Sequence, residues 1–376
     1  MQHQTSPWET PLAHLARHRP DAPVLYFSPE VLQATARRFL EGFGGLVTYA
    51  VKANPGEEVL ANLAAAGVGA FDVASPAEMR AVRAAAPGAV LHYNNPVRSV
   101  DEVALAARMG VASASVDCAA ELDKLAGMPR DMEVTVRLKL PVAGAAYDFG
   151  AKFGADPVAA AELLRHVAAM GFRPGICFHP GTQCADPAAW GAYVRASAEV
   201  ARTAGVTLAR LNVGGGFAAH RSGAAPDLEA IFDHVAEVSA SVFEVPPALV
   251  CEPGRAMVAE AFTLAARIKA VRPDGSLFLN DGIYGALAEA RDIDALTRVR
   301  LVSPEGLSRG GAPVARVVFG PTCDSLDRLP DPLVLPGDVA EGDYVLFEGM
   351  GAYSRALATR FNGYGPEGPV TVARLA

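Results

Sequence analysis

Short apolar runs rich in β-branched residues alternate with Ala-rich amphipathic segments between residues 46 and 255. An apolar run of about four to eight residues is typical of a buried strand, and apolar positions three or four residues apart are typical of a helix. The predicted strands are Leu46–Ala53, Gly69–Ser75, Ala89–Asn95, Ser113–Cys118, Glu133–Leu140, Pro174–Gly181, Arg210–Gly216 and Ala248–Arg255. The predicted helices are Glu57–Ala66, Pro76–Ala86, Val100–Met109, Ala119–Met128, Pro157–Met170, Ala188–Ala204 and Leu228–Phe243. Several helices begin after a residue that can cap the first turn, namely Ser75, Asp156, Asp186 and Asp227.

Eight strands with intervening helices over about 210 residues match a (β/α)8 TIM-type barrel in number and length. An open, doubly wound sheet is the alternative, although such a sheet seldom needs eight regular units. The chain is therefore predicted to be an α/β protein with a barrel over residues 28–258.

The pattern changes after residue 260. Strand-like runs continue, but the segments between them are rich in Gly, Pro and Asp, and clear helices are few. These runs are Phe262–Val271, Ser276–Asn280, Ala315–Phe319, Asp343–Phe347 and Val370–Leu375. This pattern of short strands and turn-forming segments predicts a mainly antiparallel β domain, either a sandwich or a barrel. The early run Pro23–Phe27 can join that sheet, so the second domain is predicted to combine residues 1–27 and 259–376.

Composition and charge argue against several classes of function. The 376 residues carry 33 basic and 41 acidic side chains, a net charge of −8, and no stretch is strongly basic, so nucleic acid is not an expected partner. No apolar run reaches the ~18 residues of a membrane span, and the N-terminus lacks the pattern of a signal peptide. The five cysteines are odd in number and widely spaced, which excludes a disulfide framework and suggests no metal site. We expect a cytoplasmic protein without metal.

Active sites of such barrels lie at the carboxyl ends of the strands. The residues predicted there are Lys52, Asp72, Asn95, Cys118, Arg137, His179, Gly214, Gly215, Gly216, Glu252 and Arg255. One lysine, one histidine, two acids, two arginines and a glycine loop do not suit a metal site. They suit a phosphorylated carbonyl cofactor that is held by a lysine.

Lys52 is one of five lysines, and it ends an apolar strand. Burial disfavours the ammonium form and lowers the pKa of a lysine, which makes the amine a usable nucleophile. The alternative is a lysine whose stem packs at the strand end while its charge reaches water.

Two loops after the last predicted strands can bind the phosphate of such a cofactor. Gly214 to Gly216 expose backbone N–H groups, and Arg255 ends the following strand, in the loops where barrel enzymes commonly bind phosphate. A turn is the alternative for the glycines. Glu252 can keep a pyridine nitrogen protonated, or can be a structural acid. His179 can stack on a ring, or can be a core histidine.

Six motifs in order resemble the fold-type III pyridoxal-phosphate decarboxylases, the ornithine/diaminopimelate/arginine decarboxylase family. They begin with Tyr49-Ala-Val-Lys-Ala-Asn54, Phe71-Asp-Val-Ala-Ser75 and Lys152-Phe-Gly-Ala155, and continue with Phe178-His179, Gly214 to Phe217 and Glu252 to Arg255. In the C-terminal half, Gly320-Pro-Thr-Cys-Asp-Ser325, Phe347-Glu-Gly-Met-Gly-Ala-Tyr353 and Phe361-Asn-Gly363 are similar to the ornithine branch. The resemblance covers nearly the whole chain.

The resemblance implies a role for each matching residue. Lys52 would carry pyridoxal 5′-phosphate as a Schiff base, Glu252 would pair with the pyridinium, and His179 would stack on the ring. Asp72 and Arg137 would lie near the ring and the lysine. The phosphate would be held by Thr182, Gly215, Gly216, Gly254, Arg255 and Tyr353. The resemblance also implies a homodimer in which Cys323 and Asp324 enter the partner's site, Cys323 to return a proton after CO2 leaves and Asp324 to contact the distal amine of the substrate.

Substrate choice depends on the segment after Tyr284. Glu289 and Asp292 fit a pattern similar to the bacterial ornithine/lysine enzymes, whereas Arg291 would repel a diamine if it faced the substrate. Residues one apart on a helix point about 100° apart, so Asp292 and Arg291 are not both expected to line the pocket. Asn212, finally, replaces the aspartate that commonly precedes the glycine triplet.

Three functions remain open at this stage. The first is decarboxylation of ornithine or lysine to a diamine, as in polyamine biosynthesis. The second is decarboxylation of a modified amino acid in a siderophore, polyamine or secondary-metabolite pathway. The third is a non-catalytic, partner-binding relative, which the joint presence of Lys52, His179, Glu252, Cys323 and Asp324 disfavours. A racemase on the same fold would resemble the C-terminal half less.

Overall fold

The computed structural model describes residues 7–141, 150–293 and 296–376. Residues 1–6 of the predicted second domain lie outside the described residues. The chain forms two compact units, one of residues 35–218 and 226–257, the other of residues up to 34, 219–225 and 258–376. Each unit has its own strands and its own core.

The strands, numbered in chain order, fall into a barrel set and a second set. Strand β1 is Val24–Phe27. The barrel strands are β2 Leu46–Ala50, β3 Ala70–Val73, β4 Val90–Tyr93, β5 Ser113–Val116, β6 Glu133–Arg137, β7 Arg173–Cys177, β8 Arg210–Asn212 and β9 Ala248–Cys251. The later strands are β10 Phe262–Val271, β11 Leu277–Leu279, β12 Val299–Val302, β13 Pro313–Arg316, β14 Val318–Phe319, β15 Leu333–Pro336, β16 Tyr344–Glu348 and β17 Val370–Thr371.

Strands β2 to β9 form a closed, all-parallel barrel in sequential order. The ring closes where β9 pairs with β2, with Val250 opposite Leu46 and Cys251 opposite Val47. The predicted TIM-type barrel is therefore confirmed, and the open doubly wound alternative is wrong. Parallel strands covered by helices are buried on both faces, which explains why they are continuous apolar runs in the sequence.

The helices lie between the strands as the amphipathic pattern predicts. The longer ones are Pro29–Gly42, Glu57–Ala65, Pro76–Ala85, Val100–Met109, Pro157–Ala169, Pro187–Ala204 and Leu228–Val242. The shorter helical segments are Pro11–His18, Val51–Ala53, Ala119–Asp123, Arg255–Val258, Ala259–Ala261, Ala288–Arg291, Ser354–Leu357 and Phe361–Gly363. The side chains of Ser75, Asp156, Asp186 and Asp227 each accept a backbone N–H of the first turn, as predicted. The predicted helix Ala119–Met128 is wrong in length, because the chain goes into tight turns after Asp123.

The second unit is built on β10. This strand pairs antiparallel with β1 and β16, and β12 adds to the far side of β16. The prediction that the early run joins the later sheet is confirmed by the pairing of Val24 with Ala265. Successive residues of β10 point to opposite faces, so Leu264 and Ala266 enter one apolar core while Ala265 enters another. Strands β12 and β15 were not predicted from the sequence.

Residues 28–34 and 219–225 were predicted to belong to the barrel, but they belong to the second unit. The backbone N–H of Ser28 donates to the carbonyl of Ala261 at 3.0 Å. Arg298 donates through Nη1 to the carbonyl of His220 at 2.7 Å, which ties residues 219–225 to the strand region that precedes β12. None of the helices formed by the described residues has the length and apolar character needed to cross a bilayer.

Candidate active site

The barrel strands end earlier than the sequence predicted. Strand β2 ends at Ala50, and Lys52 lies in the one-turn 3₁₀ helix Val51–Ala53. Strands β7, β8 and β9 likewise end before His179, Gly214 and Glu252. The predicted carboxyl ends were wrong by a few residues, because apolar and glycine residues continue into loops that must turn towards the following helix. The candidate residues therefore lie in the loops at the carboxyl face of the barrel, where active sites of this fold are found.

Lys52 was expected to be buried at the end of an apolar strand. Its side chain is exposed, so the predicted burial is wrong: the 3₁₀ turn carries it beyond the packed strand. Its positive charge still acts on its surroundings, since it lowers the pKa of Asp72 and of Glu78. Lys52 thus lies beside acidic groups at an accessible position.

Glu252 is held by two side-chain amides. Asn94 Nδ2 and Asn212 Nδ2 each lie 2.5 Å from Glu252 Oε1. Asn212 Oδ1 accepts the backbone N–H of Gly214 at 2.9 Å, which fixes the orientation of the Asn212 amide. A carboxylate that accepts hydrogen bonds is stabilised in its charged form.

Asp72, in β3, is the second carboxyl group of this region. Its side chain is buried, and burial together with the neighbouring negative charge of Glu252 raises its pKa well above the usual value; the charge of Lys52 and the backbone N–H of Asn94 act in the opposite direction. Asp72 Oδ1 has no hydrogen-bond partner among the described residues. A buried carboxyl oxygen of this kind is suited to a polar group of a bound ligand.

His179 follows β7 and is partly buried. Its Nδ1 accepts the backbone N–H of Gly181 at 3.1 Å, so the proton of the neutral ring is on Nε2. Loss of hydration, reinforced by the positive charges of Lys52 and Arg137, lowers the pKa of His179 well below 6.5. The ring is therefore neutral at physiological pH, which suits contact with a flat aromatic ligand.

The glycine loop approaches these groups closely. Gly214 and Gly216 have positive φ values of 70° and 88°. A Cβ atom on Gly216 would overlap the carbonyl oxygen of Gly181, and a Cβ atom on Gly215 would lie 3.4 Å from His179 Nε2. The loop thus needs glycine for both its conformation and its packing.

The remaining predicted barrel residues lie in or after the same strands. Arg137 is the last residue of β6, and its guanidinium lies over the Phe153 ring with its carbon 5.2 Å from the ring centre. Thr182 and Arg255 are buried, and a Cβ atom on Gly254 would lie 3.1 Å from that of Ala53.

Cys323, Asp324 and Tyr353 belong to the other unit. Cys323 is an exposed free thiol whose backbone N–H donates to Asn362 Oδ1 at 3.1 Å. The Tyr284 hydroxyl donates to Asp324, and this bond lowers the pKa of the half-buried Asp324 carboxyl. Tyr353 has a left-handed backbone, φ 55°, at the start of the helix Ser354–Leu357. Asp324 is therefore an accessible anion next to Cys323.

The predicted specificity residues separate into two groups. Glu289 is buried, and its Oε2 lies 3.2 Å from Arg221 Nη1. Arg291 and Asp292 are exposed, and Arg291 Nε donates to the carbonyl of Ala288 at 3.1 Å. The segment is a 3₁₀ turn, Ala288–Arg291, instead of the α-helix assumed from the sequence.

Sequence reasoning missed three residues that interact with the predicted ones by hydrogen bonds or charge. Asn94 and Glu78 were assigned no role, and Tyr284 was noted only as a landmark. Asn94 immediately follows β4, so its place at a strand end was the signal that could have identified it. No cluster of three or more His, Cys, Asp or Glu side chains suited to a metal ion occurs in the described part of the chain.

The barrel face fits pyridoxal phosphate on its own chemistry. An exposed lysine can bind an aldehyde, a glutamate that accepts two amide hydrogen bonds can face a ring nitrogen, and a glycine loop leaves room for a phosphate. The orphaned Asp72 Oδ1 and the neutral His179 ring match a polar, aromatic ligand. Fold and site together define the class of pyridoxal-phosphate-dependent barrel enzymes.

Comparison with known proteins identifies the family within this class to which the chain is similar. Residues 30–259 match the family model described as the pyridoxal binding domain of pyridoxal-dependent decarboxylases. The decarboxylase flvG of Aspergillus flavus is 31% identical over 338 residues, 84% of this chain and 77% of the relative. The ornithine decarboxylase of Mus musculus is 31% identical over 354 residues, 84% and 73% of the two chains. A solved lysine/ornithine decarboxylase of Vibrio vulnificus, complexed with cadaverine, superposes with a TM-score of 0.81 at 27% identity over 94% of this chain and 95% of that one.

The chain belongs to the pyridoxal-dependent decarboxylases that include the enzymes of basic amino acids. It is a pyridoxal-phosphate-dependent amino-acid decarboxylase, an enzyme and not only a partner-binding protein.

Proposed function

We propose that this enzyme decarboxylates ornithine or lysine to the corresponding diamine and CO2. The observation that carries the proposal is Asp324, a half-buried carboxylate whose pKa is lowered by the hydrogen bond from Tyr284 and which is adjacent in sequence to the thiol of Cys323. A carboxylate is the natural partner for a distal ammonium group, and a thiol can donate a proton. The named relatives that act on ornithine and lysine support the same substrate class.

The proposed roles of the site residues are those that the family resemblance implies. Lys52 supplies the amine that binds the cofactor aldehyde, Glu252 faces the ring nitrogen, and His179 contacts the ring. Asp72 and Arg137 orient the groups around them. Thr182, Gly215, Gly216, Gly254, Arg255 and Tyr353 bind the phosphate. Bound pyridoxal phosphate supplies an electron sink for the pair released when the substrate carboxylate leaves as CO2.

We further propose that the enzyme works as a homodimer, in which Cys323 and Asp324 of one copy complete the site of the other. The thiol of Cys323 then returns a proton to the substrate carbon after CO2 has left. Asp324 binds the distal ammonium and excludes side chains that end in a carboxylate. Asp292 is the proposed second carboxylate of this pocket, and Glu289 contributes indirectly through its pair with Arg221.

The substrate is tested by steady-state kinetics on ornithine, lysine, arginine, diaminopimelate and glutamate, with wild type, Asp292→Ala and Arg291→Ala. We expect kcat/KM to be highest for ornithine or lysine, and to fall about tenfold to a hundredfold in Asp292→Ala. Arg291→Ala should change it little. Greater activity on a substrate with a distal carboxylate, or loss of turnover only in Arg291→Ala, would contradict a basic substrate. The alternative, decarboxylation of a modified amino acid in a secondary-metabolite pathway, would then be favoured; the match to a decarboxylase described without a substrate is consistent with it.

A further inference from the structure

The side-chain amides of Asn94 and Asn212 both donate to Glu252. Both bonds end on the same oxygen, Glu252 Oε1, at 2.5 Å. Asn94 follows β4 and Asn212 is the last residue of β8, so the contact requires the closed barrel. We call Asn94 and Asn212 the amide clamp.

The orientation of the Asn212 amide is determined by its second contact. Because Oδ1 accepts the Gly214 N–H at 2.9 Å, the atom that faces Glu252 must be the donor Nδ2. An aspartate, common at this position in the family that the sequence resembles, would direct a second negative oxygen at Glu252 if its carboxyl kept this orientation. The asparagine replaces that repulsion with a donated hydrogen bond.

Asn94 connects the two carboxyl groups of the site. Its backbone N–H donates to Asp72, and its side chain donates to Glu252. Only Glu252 receives side-chain amide donors in this arrangement, while Asp72 is buried with one oxygen that has no partner among the described residues. Two adjacent carboxyls in a poorly hydrated site do not both ionise readily, so the charge belongs on the one with more donors.

We infer that the amide clamp keeps Glu252 in its anionic form and thereby places the shared proton on the ring nitrogen of the bound cofactor. The inference rests on the proposed position of Glu252 at that nitrogen. A proton between a carboxyl group and a pyridine nitrogen moves towards the nitrogen when donors stabilise the carboxylate. Asn94 and Asn212 are positioning residues in this scheme, because they act through Glu252.

The test uses the holoenzyme loaded with pyridoxal phosphate labelled with ¹⁵N in the ring. The ¹⁵N chemical shift distinguishes pyridinium from pyridine without requiring turnover. Glu252→Gln provides the reference for a lost carboxylate. Asn94→Leu keeps the approximate shape of the side chain and removes its donor; because Asn94 Oδ1 has no hydrogen-bond partner within residues 7–141, 150–293 and 296–376, little else is lost. Asn212→Ala is the second clamp variant, and Asn62→Leu, whose amide donates to the carbonyl of Glu58, is the matched control.

We expect the wild type and Asn62→Leu to give a pyridinium shift. Asn94→Leu and Asn212→Ala should move the shift towards that of Glu252→Gln, and the ratio of pyridinium to pyridine should fall on the order of tenfold for each donor removed. The affinity of the apoprotein for the cofactor should fall in the same order. If Asn94→Leu does not fold, Asn212→Ala carries the same expectation.

Three results would distinguish a failure of the proposed function from a wrong position of Glu252 and from a failure of the amide clamp inference. If the cofactor does not attach to Lys52 of the wild type, the proposed function is contradicted. If it attaches but Glu252→Gln leaves the ¹⁵N shift unchanged, the position of Glu252 is wrong. If Glu252→Gln moves the shift while both clamp variants keep the wild-type value, the amide clamp inference is overturned and the proposed function stands.

Discussion

Arg221 Nη1 lies 3.2 Å from Glu289 Oε2, and the two side chains are only 10% and 11% exposed. The sequence predicted Glu289 as a substrate residue, but its contact in this structure is with a cation of its own chain. A charge that loses its partner in a poorly hydrated place costs far more than one at the surface.

The first prediction follows from this pair. Glu289→Ala should lower the free energy of unfolding by about 3 kcal/mol, because it leaves the Arg221 guanidinium without its carboxylate. Denaturant unfolding monitored by circular dichroism measures the change. Arg19→Ala is the control, since its partner Glu305 is 53% exposed and the loss should stay below about 1 kcal/mol. Equal effects for the two variants would contradict a structural role for Glu289.

The second prediction concerns the covalent link. Reduction of the holoenzyme with borohydride should fix the cofactor on Lys52, and Lys52→Met should lose this label and about a thousandfold or more in kcat/KM. Peptide mapping by mass spectrometry locates the label. Lys269→Met, a change far along the sequence in the other unit, should retain both label and activity. A label on Lys124, Lys139, Lys152 or Lys269 would refute the assignment of Lys52.

The third prediction concerns the glycine loop. Gly216→Ala should lower the free energy of unfolding by about 2 kcal/mol or more, because its φ of 88° is strained for alanine and its Cβ would overlap the Gly181 carbonyl. Cofactor affinity, measured by titration of the apoprotein, should fall as well. Gly127→Ala adds a methyl group with nothing within 4 Å and should change stability by less than about 0.5 kcal/mol. Wild-type behaviour of Gly216→Ala would exclude a tight loop.

The fourth prediction is a pH dependence of the apoprotein. Burial, followed by the positive charge of Arg210, lowers the pKa of His92 to about 4. An unfolded histidine titrates near pH 6.5, so acid protonates the unfolded chain first and the folded state loses stability as the pH falls from about 6.5 towards 4. This one residue should remove about 2 kcal/mol between pH 7 and pH 5.

The matched comparison uses the slope of unfolding free energy against pH. In His92→Gln the loss of unfolding free energy between pH 7 and pH 5 should be smaller than in the wild type by about 2 kcal/mol. If the slope of unfolding free energy against pH were the same in His92→Gln as in the wild type, the His92 ring would take up a proton in the folded state as it does in the unfolded chain.

The fifth prediction tests the shared site. Mixing inactive Lys52→Ala with inactive Cys323→Ala should restore about a quarter of wild-type activity after subunit exchange, because half of the dimers are mixed and each has one intact site. In the control pair, Lys52→Ala with Glu252→Ala, both changes lie in the barrel. Each site of a mixed dimer then carries one of them, so no activity should be restored. Absence of recovery in the first pair, with exchange demonstrated by a tag, would indicate that each chain completes its own site.

The sequence by itself determined the barrel, since eight buried parallel strands must appear as apolar runs separated by amphipathic helices. It also identified the early strand Val24–Phe27 as part of the later sheet, and the lysine, glycine and glutamate motifs of a pyridoxal-phosphate enzyme. The strand and helix patterns and the motifs are local features, each carried by the residue types of one short segment.

Only the tertiary structure decided which side chains meet. Asn94 and Asn212 are 118 residues apart in the numbering, and nothing in either segment reveals that both amides end on Glu252. The same holds for Arg221 and Glu289, whose pairing makes a predicted substrate residue part of a buried ion pair. The exact strand ends were also beyond the sequence, because apolar and glycine residues suit both the last strand position and the loop, and only hydrogen bonding to the neighbouring strands distinguishes them. Lys52 is exposed for this reason: the ladder stops at Ala50, and the turn that follows directs the lysine out of the packed core.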